Sequence, residues 1–430
     1  MSKKKILFGL CSLLAVEALQ AADDDYGQFR VGGYGEMVAK FMDYGTNRFY
    51  GGTDNSDHRN SVSIPRFVLA LDYTFSPRWI LGAEIEFESG GVGMETELEN
   101  SENGEYETEM EKGGEVALEQ FHITRLVHRS FNVRAGHLIV PVGLTNAHHE
   151  PIHFFGTSRP EGETVILPST WHQTGLAVYG TFGRGKAIFD YQAMVVAGMS
   201  ADGFGRDYWV AGGRQGLFEE DNFTSPGYAV RVDYRGLPGL RVGVSAYYCR
   251  DVTANTDKPY KYSAVGRSGL AIASADAQFK NRFVTARANL IYGALENSGK
   301  IGAVSLSNKS SYYQGVLRKV AKNALAYGAE VGMNLRSVLS APLCPVIYPF
   351  ARYEYYNPQE RAVRGGTVER RNQVSKWTAG VNWYALPNLV VKADYTTRQI
   401  GTRKVFGTSD YKSENELAIG VAYVGWFFGK

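Results

Sequence analysis

The sequence predicts an all-β fold, a transmembrane antiparallel β-barrel of about 16 strands with one loop folded inward as a constriction. Three observations predict it. Segments of about ten residues alternate apolar and polar side chains along nearly the whole chain. Short turns and long polar loops alternate between those segments. Beyond the N-terminus, no stretch approaches the roughly 20 consecutive apolar residues that a membrane helix needs.

The first residues read differently from the rest. Lys3, Lys4 and Lys5 precede an apolar run from Ile6 to Val16, followed by the small residues Ala18, Ala21 and Ala22 and the acidic Asp23, Asp24 and Asp25. This order is that of a cleavable secretory signal over residues 1–21, which leaves 22–430 as the barrel. Lys and Arg number 46 against 44 Asp and Glu, so net charge gives no case for a nucleic-acid partner. The 27 Tyr suit an interface with lipid headgroups, where an apolar ring with a polar tip is well placed. Cys249 and Cys344 remain after signal removal, on segments far apart in the ladder, and are expected as free thiols.

Successive side chains of a strand point to opposite faces, so alternation assigns one parity to each environment. In the first segment Phe29, Val31, Met37, Ala39 and Phe41 share one parity, while Arg30, Tyr34, Glu36 and Lys40 share the other. Phe67, Leu69, Leu71, Tyr73 and Phe75 repeat it with Arg66 and Asp72 between. Trp79, Leu81, Ala83, Ile85 and Phe87 alternate with Glu84, Glu86 and Glu88. Three carboxylates on one face would ruin a soluble core but are tolerated in a water-filled lumen. The segment from Glu115 to Val127 alternates poorly, because Val116 and Leu118 conflict in parity with Phe121 and Ile123. From Tyr228 onward the pattern is strongest, through to Lys392 and Asp394 within Leu389 to Tyr395. Brief joints fall at Ser76, Ser130, Gly183, Gly236, Asn281 and Pro387, and the connections between them are mostly long and polar.

A barrel of about 16 strands leaves an aqueous channel. The expected pore-lining residues are Arg66, Glu84, Glu86, Arg134, Arg231, Arg235, Arg241, Arg287, Arg352 and Lys392. Arg231, Arg235, Arg241 and Arg287 fall on neighbouring strands as a candidate basic wall, with the glutamates as an acidic patch elsewhere; their partners are either lumen water or opposite charges across the strands. The third external loop, Pro141 to Pro168, is rich in Gly, Pro and aromatic residues and suits the constriction. Its candidate residues are His148, His149, Glu150, His153 and Arg159. Adjacent histidines usually point apart, so these are read as constriction or packing residues and not as metal ligands. Glu95 to Glu111 carries eight glutamates and reads as a solvated, mobile loop, with a cation-attracting vestibule or a weak calcium site as the sharper alternative.

Gly114 to Gln120, Asn132 to Gly136, Pro141-Val142-Gly143, His148 to Pro151 and Thr170-Trp171 together resemble the porin O/P family, the phosphate-selective porins. The resemblance is clearest from about Arg30 to Tyr191. It implies a 16-stranded bacterial outer-membrane porin, commonly a homotrimer, with external loop three in the pore and basic residues that select phosphate. This chain departs from that pattern by offering Arg159 and histidines in place of a basic run, with Glu84 and Glu86 on the nearby wall.

The expected function is a water-filled channel for passive diffusion of small hydrophilic solutes or ions, with anions such as phosphate among the candidates. The alternative is a barrel that anchors surface loops as an adhesin or receptor. Outer-membrane lipid and small solutes are the expected partners, without a cofactor. No nucleophile, P-loop or dinucleotide motif stands in the context that enzymatic chemistry requires.

Overall fold

The computed structural model describes residues 27–44, 58–88, 95–100, 106–111, 116–168, 170–215, 220–304, 319–362, 368–402 and 413–429. The secretory-signal segment lies outside the described residues. Strands β1 (Gln28–Asp43), β2 (His58–Ser76) and β3 (Trp79–Glu88) begin the wall. β6 (Val116–His128), β7 (Phe131–Ile139), β8 (His172–Arg184), β9 (Ala187–Val196), β10 (Gly227–Leu237) and β11 (Leu240–Cys249) continue it. β12 (Leu270–Lys280), β13 (Val284–Leu295), β14 (Asn323–Met333), β15 (Val346–Arg361), β16 (Val374–Leu386), β17 (Leu389–Ile400) and β18 (Glu414–Gly429) complete it. β1 pairs antiparallel with β18, so these strands form one closed barrel of 16 strands. Closure removes the sheet edges that lipid could not solvate.

The expected mobile acidic loop is corrected in part: β4 (Glu95–Asn100) and β5 (Tyr106–Glu111) form a separate two-stranded sheet. Extended backbones paired in register satisfy each other's amides, which a charge count alone does not reveal.

The fold turns a soluble protein inside out. Val244 is 55% exposed and Leu290 is 47% exposed, while Arg231 and Arg352 are each 3% exposed and Lys392 is 2% exposed. The apolar parity read from the sequence therefore faces outward and the charged parity inward. Aromatic contacts gather at the short-turn end, among them Tyr73 with Phe75, Phe182 with Phe189, Phe189 with Tyr234 and Tyr423 with Phe427. Tyr327 stacks on Tyr355 near the long-loop end. Such rings at both ends mark the two interfaces of a membrane-spanning wall.

The irregular parity of β6 has a specific cause. Glu84 pairs with Gln120 but Ile85 pairs with Leu118, so Glu119 is an extra residue in the ladder. A bulge of this kind places two successive residues on one face, and Glu119 and Gln120 are both buried. Leu118 and Phe121 keep to the outer face despite their conflicting parity.

A second apolar core lies inside the long-loop half of the barrel. Inward-facing Leu138, Met194, Tyr247, Ile272, Ile291 and Tyr356 meet Trp171, Phe204, Trp209 and Tyr262 from the connecting segments. Gly293 admits this packing, because a Cβ there would lie 2.0 Å from the Trp209 ring. Cys249 is buried in the same half, whereas Cys344 belongs to the connection between β14 and β15 at the opposite end. Both are free.

The outward assignment has a direct energetic consequence. Leu290→Arg, in the middle of β13, is expected to cost about 2–4 kcal/mol of stability in reversible refolding into liposomes, the range for a cation on a lipid face.

Candidate functional site

The segment between β7 and β8 does not leave the barrel; it crosses the lumen and is fastened to both walls. Its chain turns at Gly143, whose φ of +86° favours glycine and whose missing side chain leaves room for the Glu163 carboxylate. Two short helices follow, Leu144–Ala147 and Glu161–Ile166. Glu163 accepts from the amides of Leu144 (3.1 Å) and Asn146 (2.8 Å) and from Asn289 of β13 (3.1 Å). Burial raises its pKa to about 7 against those donors.

The wall of β15 to β17 binds the loop backbone in detail. Arg352 donates to the carbonyls of Ser158 (2.9 Å) and Phe155, and also to Glu330 (2.8 Å). Lys392 donates to the carbonyls of Pro151 and Phe154 (the latter 3.4 Å) and lies 4.2 Å from the centre of the Phe154 ring. Gly156 donates to Asn382 at 3.1 Å and Thr157 to Asp394 at 2.7 Å. Glu161 receives Lys376 (2.7 Å), Arg398 (2.9 Å) and the Tyr356 hydroxyl (2.5 Å). Burial opposes the Glu161 carboxylate, but Arg398 and Lys376 outweigh it and hold its pKa well below the usual range.

On the far wall Arg231 bridges Asp233 and Asp276, both at 2.8 Å, and donates to the Gly143 carbonyl at 3.1 Å. Arg241 reaches Asp233 at 2.9 Å and the His148 ring at 3.1 Å. Arg235 pairs with Asp190 at 2.5 Å, and Arg287 pairs with Glu330. Of the two readings of these arginines, pairing with opposite charges is what the structure shows, and the unpaired basic wall is therefore corrected. Each of its four arginines has a carboxylate within reach, because burying an unpaired guanidinium would cost several kcal/mol. Arg134 differs: it makes no ion pair among the described residues, donates to Thr124 at 3.0 Å and lies 5.0 Å from the Tyr179 ring centre.

Beneath β1 to β6, Arg66 pairs with Glu86 at 3.4 Å and Glu36 at 3.8 Å. Gln120 donates to Glu84 at 2.6 Å. Adjacent His148 and His149 point apart, whereas the rings of His148 and His153 meet edge to face with centres 6.0 Å apart. His148 meets Arg241, whereas His149 lies 3.1 Å from Glu119, and His153 pairs with Glu150 at 2.6 Å. Burial works against the His149 imidazolium, but Glu119, Glu150 and Glu84 outweigh it and raise its pKa to about 10. Arg159 donates to Thr170 (2.7 Å) and to the His149 carbonyl (3.3 Å), which ties the two ends of the loop together.

Two cavities flank the loop toward the short-turn end. One of about 110 Å³ is lined by Gln120, Arg134, Thr181, Gln192, Asp233 and Arg241. The other, of about 520 Å³, is lined by Phe155, Gln278, Lys280, Thr285, Arg336 and Tyr348.

Sequence reasoning missed Glu161, Glu163, Lys376 and Arg398 as loop fasteners. Lys376 and Arg398 carry the inward parity of their strands, a signal that was available. Glu161 and Glu163 sit in irregular chain, where no periodicity marks them. Glu119 was hidden by the bulge.

Comparison with solved structures places this architecture. An anion-selective porin from Comamonas acidovorans superposes with a TM-score of 0.53 at 7% identity, over 92% of this chain and 99% of that one. The fold is that of the bacterial porins. OmpF of Salmonella typhi gives a TM-score of 0.54 at 11% identity over 92% of this chain and 97% of that one. The outer membrane channel DcaP of Acinetobacter baumannii gives 0.51 at 9% identity, over 94% and 99%. At the sequence level, an uncharacterized protein of Aquifex aeolicus (strain VF5) is 24% identical over 403 residues, 93% of this chain and 79% of that protein. No family model matches the chain.

The clamp on the loop can be loosened at one residue. Glu161→Gln removes the carboxylate shared by Lys376 and Arg398 and is expected to weaken loop attachment by about 1.5–3 kcal/mol, the range for hydrogen bonds to charged groups. Proteolysis within residues 141–168 should accelerate while the heat-modifiable gel migration of the barrel stays unchanged.

Proposed function

We propose that this chain is a porin of the bacterial outer membrane, with its long connections outside the cell and its short turns toward the periplasm. Small hydrophilic solutes and ions diffuse through it down their gradients, without covalent chemistry. The observation that carries the reading is the loop from Pro141 to Pro168, seated across a charged lumen inside a wall whose outer face is apolar. A barrel built only to hold surface loops has no need of such a narrowed bore.

The finer proposal is a modest preference for anions, carried by Arg134 beside the cavity that it lines. The resemblance to the phosphate-selective porins adds phosphate to the candidate solutes and a homotrimer to the candidate assemblies. The numerous ion pairs along the wall argue for a weak preference and not for a dedicated phosphate site.

The apolar core inside the long-loop half favours the second reading, a barrel that anchors its loops as an adhesin or receptor, because it fills one sector of the lumen. Planar-bilayer recording of the purified protein decides between the two. Stable single-channel steps are the result expected of a porin, and their absence across independent preparations would leave the anchor reading. With a salt gradient across the bilayer, Arg134→Ala should shift the reversal potential toward cation preference. Substituting phosphate for chloride tests the finer proposal, and equal permeability to the two would remove phosphate selectivity. Chemical cross-linking in intact membranes tests the trimer.

A further inference from the structure

The bulge in β6 creates a site with no part in fastening the loop to the far wall. Glu84 of β3, Glu119 at the bulge and His149 of the loop bring one potential ligand atom each to within 4.8 Å of one another. The three residues are 3%, 0% and 6% exposed. Each is held from behind: the Asn146 carbonyl lies 3.2 Å from Nδ1 of His149, the Tyr34 hydroxyl reaches Oε2 of Glu119 at 3.4 Å, and Gln120 donates to Oε2 of Glu84 at 2.6 Å. Partners of this kind orient metal ligands and fix the imidazole tautomer.

The atoms that face each other make the second observation. Nε2 of His149 and Oε1 of Glu119 are 3.1 Å apart as a buried ion pair, and neither atom has a hydrogen-bond partner beyond the other. With Nδ1 donating to the Asn146 carbonyl, Nε2 is the position of His149 that faces the carboxylate, and on losing its proton it turns a lone pair into the same buried place. A proton occupies that place in the ion pair, and a metal ion bound by the same atoms would take it over. Two ligand atoms about 2.0–2.2 Å from one ion and separated by about 90–110° lie roughly 3.0–3.4 Å apart, which matches the observed spacing.

We propose that Glu84, Glu119 and His149 bind a divalent transition-metal ion of the zinc or manganese class, which cross-links the inward loop to the wall of β3 and β6. One imidazole and two carboxylates without sulfur suit those ions, and the imidazole disfavours calcium and magnesium. In the metal-free protein the same negative charge retains a proton on His149, and metal binding displaces it. This ligand set differs from the three loop histidines considered from the sequence, of which only His149 takes part. The site stands whether or not the barrel conducts.

The test uses the full-length barrel in detergent, stripped with a chelator and titrated calorimetrically with zinc chloride and then with manganese chloride. One equivalent of at least one of the two metals should bind. Affinity should fall at least about 100-fold in His149→Gln and in Glu119→Gln, since even losing an outer partner costs 10–100-fold. His128→Gln, on an exposed turn, should bind as the parent does. Gel migration before and after heating reports whether each variant is folded. X-ray absorption of the metal-loaded parent should show a nitrogen and oxygen shell with one imidazole, and this readout needs no variant. The proposal is overturned if the parent binds neither metal saturably, if sulfur appears in the shell, or if both folded variants retain the parent's affinity.

Discussion

The structure depends on one constraint: a charge that faces the inside of a closed barrel must find a partner there, because the outside offers only hydrocarbon. Alternation along each strand sends about half of the side chains inward, and the sequence places guanidinium, ammonium and carboxylate groups at many of those positions. Water could satisfy them, but here much of the work is done by the loop between β7 and β8. Arg352 and Lys392 on one wall and Arg231 on the other all donate to loop carbonyls. The loop in turn leaves few of its own buried groups without a partner, since Gly156 and Thr157 donate back to Asn382 and Asp394. Wall and loop each supply what the other lacks, so the constriction is a consequence of satisfying the lumen.

The same constraint explains why charge in the bore does not become a basic wall. Arg231 serves two aspartates and Arg241 shares one of them, which neutralises the patch locally and spends its donors on structure. Arg134 escapes this because its neighbours are a threonine hydroxyl and a tyrosine ring. Selectivity in such a lumen depends on the few charges left without a counter-ion, so counting arginines overstates it. The apolar core inside the long-loop half restricts the bore further, and Trp209 packed on Gly293 shows how closely the connecting segments fill that sector.

The wall was legible in the sequence because period-two alternation is a local property with a sharp physical meaning. Trp79 to Glu88, Tyr228 to Arg235 and Leu389 to Tyr395 each gave strand, face and environment at once, the tally of such segments gave the strand count, and the alternation of turns and loops supported the barrel independently. Legibility failed where local rules do not reach. Glu119 breaks the period through a bulge that depends on pairing with β3, and Glu161 and Glu163 act from irregular chain. Glu95 to Glu111 was read by charge and missed as a hairpin. The inward fold of the loop was read correctly from its composition, but its fasteners to the wall were not, because they join residues from 88 to 241 positions apart.

The central claim is that the loop is seated against the barrel wall, and its seat can be probed covalently. A Cβ built on Gly162, in the loop, would lie 3.3 Å from Cβ of Ala326 on β14, close to the separation across a disulfide. The measurement is spontaneous cross-linking of Gly162→Cys with Ala326→Cys, in a chain carrying Cys249→Ala and Cys344→Ala, within intact membranes. A seated loop predicts nearly complete disulfide formation, identified by peptide mapping, in barrels with native gel migration. Cysteines that remain reduced and react with a maleimide in folded barrels would contradict the account.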